Sequence, residues 1–312
     1  MLNTIRIGTR GSELALWQTY HVKALLEARF PGIAIDVQKI KTTGDKILDA
    51  PLAKIGDKGL FTKELEIALL DDRVDIAVHS FKDVPTLVPE GLLIAAVLER
   101  EDVHDVFITN PKKSHQTFVG IPLNSIIATG SLRRKCQLLN TRPDIQIVEI
   151  RGNLNTRMKK LDSSNWDGMI LAQAGVTRLG WALRITDILP LELMLPAVGQ
   201  GALAIESRIG DQRVQEMLRP LHDQITAAAV MAERAFLHYL EGGCQIPIGA
   251  YGQINGNELR LNAVIGSLDG KRIVRGKKIG SIVDAEQIGI DLAKELFHQG
   301  GKEILEKIRQ PF

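Results

Sequence analysis

The strongest constraint on the fold is an alternation of short apolar runs with segments of helical spacing, which continues from Ile5 to about Gly201. Ile5–Gly8 is a predicted strand, and the helix that follows it carries an apolar stripe that includes Leu14 and Leu16. Ser12 stands where a side chain caps the start of that helix. Repeated strand and helix patterns of this kind predict a parallel sheet covered by helices.

A second α/β unit is predicted from about residue 103. Its helices are expected to begin near Ser131 and Leu154. Two doubly wound α/β domains are expected, because a chain of 312 residues exceeds the size at which one core usually stops growing. The predicted strands of the second unit are Val106–Ile108, Ser125–Ala128, Ile145–Val148 and Met169–Leu171.

The pattern changes after about residue 220, where a long helix is predicted over Ala227–Leu240. Hairpin turns are expected at Asn255-Gly256 and Asp269-Gly270. The strand Glu258–Asn262 alternates apolar and polar side chains, as strands do in a half-exposed antiparallel sheet. A closing helix is expected from about Ala285 to Phe297. The third part is therefore predicted to be a smaller α+β domain.

Composition excludes several classes of protein. The net charge is +2 and aromatic residues are 4%, so no broad nucleic-acid surface is expected. The chain has no long uncharged apolar run and begins without the apolar core of a secretory signal, which favours a cytoplasmic protein with no membrane span. Cys136 and Cys244 are far apart and form no metal-ligand motif, so neither a disulfide scaffold nor a bound metal is expected.

Polar and basic residues gather where predicted strands end, which is where ligands bind in open α/β sheets. Arg10 and Ser12 follow the first strand, and Lys82 and Asp83 follow the strand Asp75–Val78. Between residues 133 and 157 the acidic residues are only Asp144 and Glu149, whereas the basic ones are Arg133, Arg134, Lys135, Arg142, Arg151 and Arg157.

Such a local excess of arginine in a nearly neutral protein predicts a ligand with several carboxylates or phosphates. Lys135 and Arg142 fit equally well as residues that only solvate helix faces. Asp83, beside Lys82 and close to Pro85, is a candidate for stabilising a developing positive charge. Its alternative role is that of a simple turn cap.

The two cysteines are predicted to play different roles. Cys244 follows Gly242-Gly243 and precedes Pro247, so its thiol is expected in an exposed loop, as a nucleophile or an attachment point. Cys136 lies inside a predicted helix and is expected to fill core space. His79 lies in an apolar strand and is likewise expected to pack in the core.

Common cofactor and nucleophile motifs are absent. No phosphate-binding GxxxxGK[ST] loop and no GxSxG elbow occur. Gly199–Ala204 formally fits a dinucleotide motif, but Leu203–Glu206 has the pattern of a strand where that motif needs a helix. A transferase for phosphorylated metabolites therefore lacks its phosphate loop. A two-lobed binding protein for a polycarboxylate ligand remains the alternative to an enzyme.

Five stretches resemble the signature motifs of the hydroxymethylbilane synthase (porphobilinogen deaminase) family, over about Ile5 to Ile304. The resemblance implies two periplasmic-binding-protein-like α/β domains plus a smaller C-terminal α+β domain. It also implies the bounds of these three domains. The first is discontinuous and comprises 1–101 and 198–219, the second comprises 102–197, and the third comprises 220–312. The five stretches are His79–Pro85, Ser131–Arg134, Arg151–Asn153, Leu195–Gly201 and Glu241–Gln245.

The function implied by the resemblance is tetrapyrrole (heme) biosynthesis. Enzymes of this family deaminate porphobilinogen, join four units head to tail on a dipyrromethane cofactor, and release hydroxymethylbilane by hydrolysis. The resemblance implies a monomer that works without nucleic acid or membrane. It places the cofactor on Cys244 through a thioether.

The resemblance also implies roles for individual residues. Asp83 matches the catalytic acid, and Lys54 and Lys58 match basic residues of a mobile loop. Gly130 and Gly11 depart from the common pattern, which has serine and glutamine there. The residues that match binders of cofactor and substrate carboxylates are Arg10, Ser12, Lys82, Ser131, Arg133, Arg134, Arg151, Arg157, Arg178 and Gln200.

Overall fold

The structure is a computed structural model that describes residues 4–46, 59–241 and 246–309. The described residues divide into two compact units. The first unit contains residues 4–46, 59–101 and 201–227, and the second contains residues 102–200, 228–241 and 246–309. The expected division into three domains stays a prediction.

The strands and helices alternate through most of the chain, as the sequence predicts. None of the described helices is both long and apolar enough to cross a membrane. The strands are β1 (Thr4–Thr9), β2 (Ala34–Lys39), β3 (Ile76–Ser80), β4 (Leu92–Val97), β5 (Asp105–Thr109), β6 (Ile126–Ala128), β7 (Gln146–Val148), β8 (Gly168–Ala172), β9 (Asp187–Ile188), β10 (Leu203–Arg208), β11 (Ile248–Asn255), β12 (Glu258–Gly266) and β13 (Ile273–Ser281). The helices are α1 (Glu13–Arg29), α2 (Thr43–Lys46), α3 (Lys63–Leu70), α4 (Leu132–Thr141), α5 (Leu154–Ser163), α6 (Gln173–Arg178), α7 (Gln212–Leu218), α8 (Gln224–Tyr239), α9 (Ala285–Leu296) and α10 (Lys302–Arg309).

The sheet of the first unit has the strand order β2-β1-β3-β10-β4. Strand β1 pairs in parallel with β2 and β3, whereas β10 is antiparallel to both β3 and β4. The predicted parallel sheet is therefore mixed, because β10 runs antiparallel to both of its neighbours. An apolar run is equally compatible with either strand direction, and the direction of β10 is set by long-range topology that periodicity does not report.

Helices cover both faces of this sheet, which confirms the doubly wound arrangement. On one face Ile5 and Ile7 of β1 pack with α1 and α7. On the other face Ala77 of β3 packs with Leu65 and Leu69 of α3. Since successive side chains of a strand point to opposite faces, the two core clusters follow from the alternating register of these strands.

The larger sheet of the second unit has the order β7-β6-β8-β5-β9 and is also mixed. Strand β6 is parallel to β7 and β8, whereas β5 is antiparallel to β8 and β9. The first residue of β5, Asp105, is the register partner of Ala172, the last residue of β8. Asp105 therefore lies at the edge where the parallel strands end and their loops begin.

The smaller sheet of the second unit is antiparallel, in the order β11-β12-β13. Both predicted hairpins are confirmed: Gly256 and Gly270 have φ values of 59° and 70°, which tight hairpin turns require. Leu292 and Leu296 of α9 belong to the core beneath this sheet. Helix α10 was not predicted. Gly300, whose φ is 115°, breaks the helical conformation between α9 and α10.

Strand β10 offers a direct test of this topology. Ile205 is 0% exposed in the centre of β10, whereas Ile209 just beyond the strand is 55% exposed. We expect Ile205→Ala to lower the free energy of unfolding by about 2–5 kcal/mol, because it empties core space. The matched change Ile209→Ala should stay within about 0.5 kcal/mol of the unchanged protein. Urea unfolding measures both, and equal losses would contradict the placement of β10.

Candidate active site

Lys82 and Asp83 lie in a 3₁₀ turn, Phe81–Asp83, directly after β3. Phe81 is buried, and its backbone N donates to the carbonyl O of Ala202 at 3.0 Å. This bond fixes the turn at the end of the sheet, while the side chains of Lys82 and Asp83 are half-buried. The predicted strand-end position of Asp83 is confirmed, and its catalytic role stays a prediction.

Arg10 follows β1, whose end lies beside that of β3 in the sheet. Its Nη2 and Nε donate to Asp45 Oδ1 and Oδ2 at 2.5 and 3.3 Å. The guanidinium carbon lies 4.2 Å from the centre of the Phe61 ring. Although burial favours the neutral acid, hydrogen bonds from Arg10 and Thr42 hold the pKa of Asp45 below its ordinary value. Asp45 was not predicted as a partner of Arg10.

The first turns of two helices are capped by predicted site residues. Ser12 Oγ accepts a hydrogen bond from the backbone N of Ala15 at 3.3 Å. Ser131 Oγ accepts one from the backbone N of Arg134 at 3.4 Å. Both caps confirm the predicted starts of α1 and α4, and a cap of this kind stabilises a helix by about 1 kcal/mol.

Arg133 and Arg134 lie in the first turn of α4 and are buried, at 4% and 6% exposed. Both contact the carboxylate of Asp105, which is 0% exposed. Arg133 Nη1 donates to Oδ2 at 2.6 Å, and Arg134 donates to Oδ1 from Nη2 at 2.7 Å and from Nε at 3.1 Å. The structure therefore brings two of the predicted carboxylate binders together around one acid.

The charges of this cluster do not cancel. Burial opposes ionisation of Asp105, but the adjacent guanidinium groups of Arg133 and Arg134 hold its pKa well below its ordinary value. Two guanidinium cations and one carboxylate leave one positive charge in a site that is almost closed to water. Such a site favours an anionic ligand.

Gln200 is a third predicted residue at the same acid. Its Nε2 donates to Asp105 Oδ1 at 3.0 Å and to the carbonyl O of Val103 at 2.8 Å. The preceding residue, Gly199, donates its backbone N to Oε2 of buried Glu233 at 2.8 Å. The turn that carries Gln200 is thus anchored at two consecutive residues.

Sequence reasoning missed Asp105 because it assumed that β5 is parallel. In a parallel sheet the first residue of a strand lies at the edge opposite the ligand-binding loops. Strand β5 is antiparallel to β8, which reverses that expectation. An acidic residue at the start of an otherwise apolar strand was the available signal.

The other predicted arginines lie on α5, on α6, and in the loops beside α4 and α5. Arg157 Nε donates to the carbonyl O of Gly152 at 2.8 Å, within the loop that also carries Arg151. Arg178 is buried at the end of α6, which follows β8. Arg142 pairs with Asp144 at 2.7 Å and donates to loop carbonyls, so the interpretation of Arg142 as a purely structural residue is favoured.

His79 and Cys136 are core residues, as predicted. His79 Nε2 lies 3.1 Å from Glu206 Oε2, and both side chains are buried. Cys136 is buried too, and burial raises the pKa of its thiol to about 12. The predicted sites Cys244, Lys54 and Lys58 lie outside the described residues.

Comparison with known proteins identifies the family of this chain. Residues 5–216 match the family model of the porphobilinogen deaminase dipyromethane cofactor binding domain, and residues 227–298 match that of the porphobilinogen deaminase C-terminal domain. A relative from Geobacter sulfurreducens, named porphobilinogen deaminase, is 51% identical over 309 residues, which cover 99% of this chain and 96% of the relative. The chain belongs to the porphobilinogen deaminase family.

Two solved structures are similar at much lower identity. The methionine binding protein MetQ has a TM-score of 0.45 and 12% identity, with 70% of this chain and 90% of that chain covered. The periplasmic VFT2 domain of BvgS from Bordetella pertussis has a TM-score of 0.41 and 14% identity, with 70% and 86% covered.

The residues of the second unit fit the carboxylate-bearing dipyrromethane of this family. Arg133 Nε and Arg151 Nη1 are buried and have no hydrogen-bond partner within the described part of the chain. A buried guanidinium N–H without a partner is unusual, and the carboxylate of a bound ligand would satisfy it.

Gly130 and Gly11 can be distinguished by the space around them. A Cβ at Gly130 would lie 2.6 Å from the carbonyl O of Ile150, whereas a Cβ at Gly11 would meet no atom within 4 Å. We expect Gly130→Ser to lower the free energy of unfolding by about 1–3 kcal/mol, because backbone must move away. Gly11→Ser, the matched control, should change it by less than about 0.5 kcal/mol. Denaturant unfolding of the two variants tests this, and an unaffected Gly130→Ser protein would contradict the close approach of Ile150.

Proposed function

We propose that this chain acts as a hydroxymethylbilane synthase, which deaminates porphobilinogen, joins four units head to tail and releases hydroxymethylbilane by hydrolysis. The observation that carries the proposal is the match to a relative named porphobilinogen deaminase, at 51% identity over 99% of the chain. The alternative of a binding protein without catalysis is not favoured, since the chain matches the family models of both the cofactor binding domain and the C-terminal domain of the enzyme.

When bound, the dipyrromethane supplies the primer to which the pyrrole units are joined. We assign its covalent attachment to Cys244. The support comes from the other cysteine, because the chain has two and Cys136 is buried with a raised pKa. A thiol in that state yields almost no thiolate near neutral pH and cannot be reached from solvent.

The arginines are assigned the task of holding the acetate and propionate groups of cofactor and substrate. The excess positive charge at Asp105 and the buried N–H groups without partners within the described residues support this assignment. Each charge-assisted bond orients a pyrrole ring through its substituents. The residues assigned to carboxylate binding are Arg10, Ser12, Lys82, Ser131, Arg133, Arg134, Arg151, Arg157, Arg178 and Gln200.

Asp83 is assigned the chemical step. Loss of ammonia from porphobilinogen leaves positive charge on the pyrrole, and a fixed carboxylate stabilises that charge relative to the neutral substrate. Its half-buried position in a turn anchored by Phe81 supports this role, because a fixed group needs no reorganisation during the reaction. We further infer a monomer in the cytoplasm with no nucleic-acid or membrane partner, in line with the net charge of +2.

The attachment site is tested by mass. Freshly purified protein should be heavier than its sequence by one dipyrromethane, and peptide mapping should find the adduct on Cys244. Cys244→Ser should fold but carry no adduct, because a hydroxyl is a much weaker nucleophile than a thiol near neutral pH. Cys136→Ser serves as the control and should keep the adduct. An adduct on Cys136, or none in active protein, would refute the assignment.

The role of Asp83 is tested by Asp83→Asn, which removes the charge and keeps the shape. A carboxylate about 4 Å from a cation contributes about 4 kcal/mol at an effective dielectric constant near 20. The loss should slow single-turnover deamination by about a thousandfold. Asp83→Glu should retain more activity, and Asp71→Asn, at an exposed ion pair, should be unaffected. An Asp83→Asn rate within about tenfold of the unchanged enzyme would mean that Asp83 is only a turn cap.

A further inference from the structure

Asp105 contacts three residues to which the proposed function assigns carboxylate binding. Its Oδ2 accepts from Arg133, and its Oδ1 accepts from Arg134 and Gln200, at distances between 2.6 and 3.1 Å. Asp105 itself is 0% exposed, so its two oxygens are directed at these protein donors.

The backbone of Asp105 is held firmly. Strand β5 lies between β8 and β9 in the sheet. The carbonyl O of Asp105 accepts from the backbone N of Leu189 at 3.0 Å, and its register partner is Ala172 at the end of β8. The carboxylate is therefore a fixed point at the edge of the sheet from which the binding loops emerge.

Each arginine is tied at a second point as well. Arg133 Nη1 also donates to the carbonyl O of Leu195 at 2.7 Å, and Arg134 Nη1 donates to that of Ile170 at 3.1 Å. A planar guanidinium bound at two points has little freedom to rotate. In Arg133 the buried Nε is left without a hydrogen-bond partner among the described residues.

We propose that Asp105 is a positioning residue of the active site. It fixes the directions of Arg133 and Arg134, holds Gln200, and cancels one of the two positive charges, without touching the ligand itself. The proposal rests on the proposed function, because it concerns how the arginines receive the carboxylates of the cofactor.

Asparagine and glutamate at position 105 separate geometry from charge. Asparagine retains one oxygen, so it can still accept from Arg134 and Gln200, but it turns an N–H donor toward Arg133 Nη1. Glutamate keeps the negative charge and displaces the carboxylate by about the length of a C–C bond, roughly 1.5 Å. A role in positioning predicts that both changes impair cofactor loading.

The chain offers a matched control in the same sheet. Asp167 precedes β8 and accepts from the backbone N of Ile126 at 2.8 Å and from His115 at 3.1 Å. It lies at the opposite edge of the sheet, since it comes just before the first residue of β8. Asp167→Asn should lower stability while leaving the arginine pair intact.

The experiment uses unchanged protein, Asp105→Asn, Asp105→Glu and Asp167→Asn, each produced in cells that make no porphobilinogen. Circular dichroism and thermal unfolding identify a temperature at which each protein is folded. Porphobilinogen is then added, and intact mass follows the appearance of the covalent adduct with time. This readout measures the loading of the cofactor rather than the turnover of loaded enzyme.

We expect both Asp105 variants to load at least about tenfold more slowly than the unchanged protein, and Asp167→Asn to load within about twofold of it. A folded Asp105 variant that loads within about twofold of the unchanged protein overturns the proposal. If Asp105→Asn does not fold, the loading rate of Asp105→Glu, which keeps the net charge of the cluster, tests the proposal. Unchanged protein that takes up no adduct refutes the proposed function itself, and the proposal falls with it.

Discussion

The buried ion cluster of Asp105, Arg133 and Arg134 is the interaction on which the proposed binding site of the second unit depends. Two guanidinium groups withdrawn from water are costly unless a carboxylate compensates them, and removal of one partner from such a cluster typically costs about 3–5 kcal/mol. Asp105 compensates one of the two cations, and the second positive charge is the one that we propose a ligand carboxylate compensates. Stability and the proposed ligand binding therefore depend on the same three side chains.

The direction of one strand makes this arrangement possible. Because β5 is antiparallel to β8, the first residue of β5 lies beside the last residue of β8 and near the start of α4. The helix start contributes further, since Ser131 caps α4 and thereby fixes the turn from which both arginines extend. An acid at any interior position of β5 would lie further from the edge where the loops begin.

Much of the fold followed from local patterns. The starts of α1 and α4, the two hairpins, the strands that end before Arg10 and Lys82, and the core positions of His79 and Cys136 were all predicted from nearby residues. The antiparallel directions of β5 and β10, and the pairing of arginines with Asp105 and Asp45, were not. These features depend on contacts between residues distant in sequence, which neither periodicity nor capping signals report.

Placement of the predicted site residues is thus established for those that the structure describes, and the chain belongs to the porphobilinogen deaminase family. The chemical roles of these residues stay proposals. The measurement that tests the account most directly is the stoichiometry of the reaction with porphobilinogen. Ammonia and released tetrapyrrole are quantified in the same samples over the course of turnover. A polymerising deaminase should release four ammonia molecules for each hydroxymethylbilane. A protein that binds porphobilinogen and releases no ammonia, or that releases ammonia without forming a tetrapyrrole, would contradict the account.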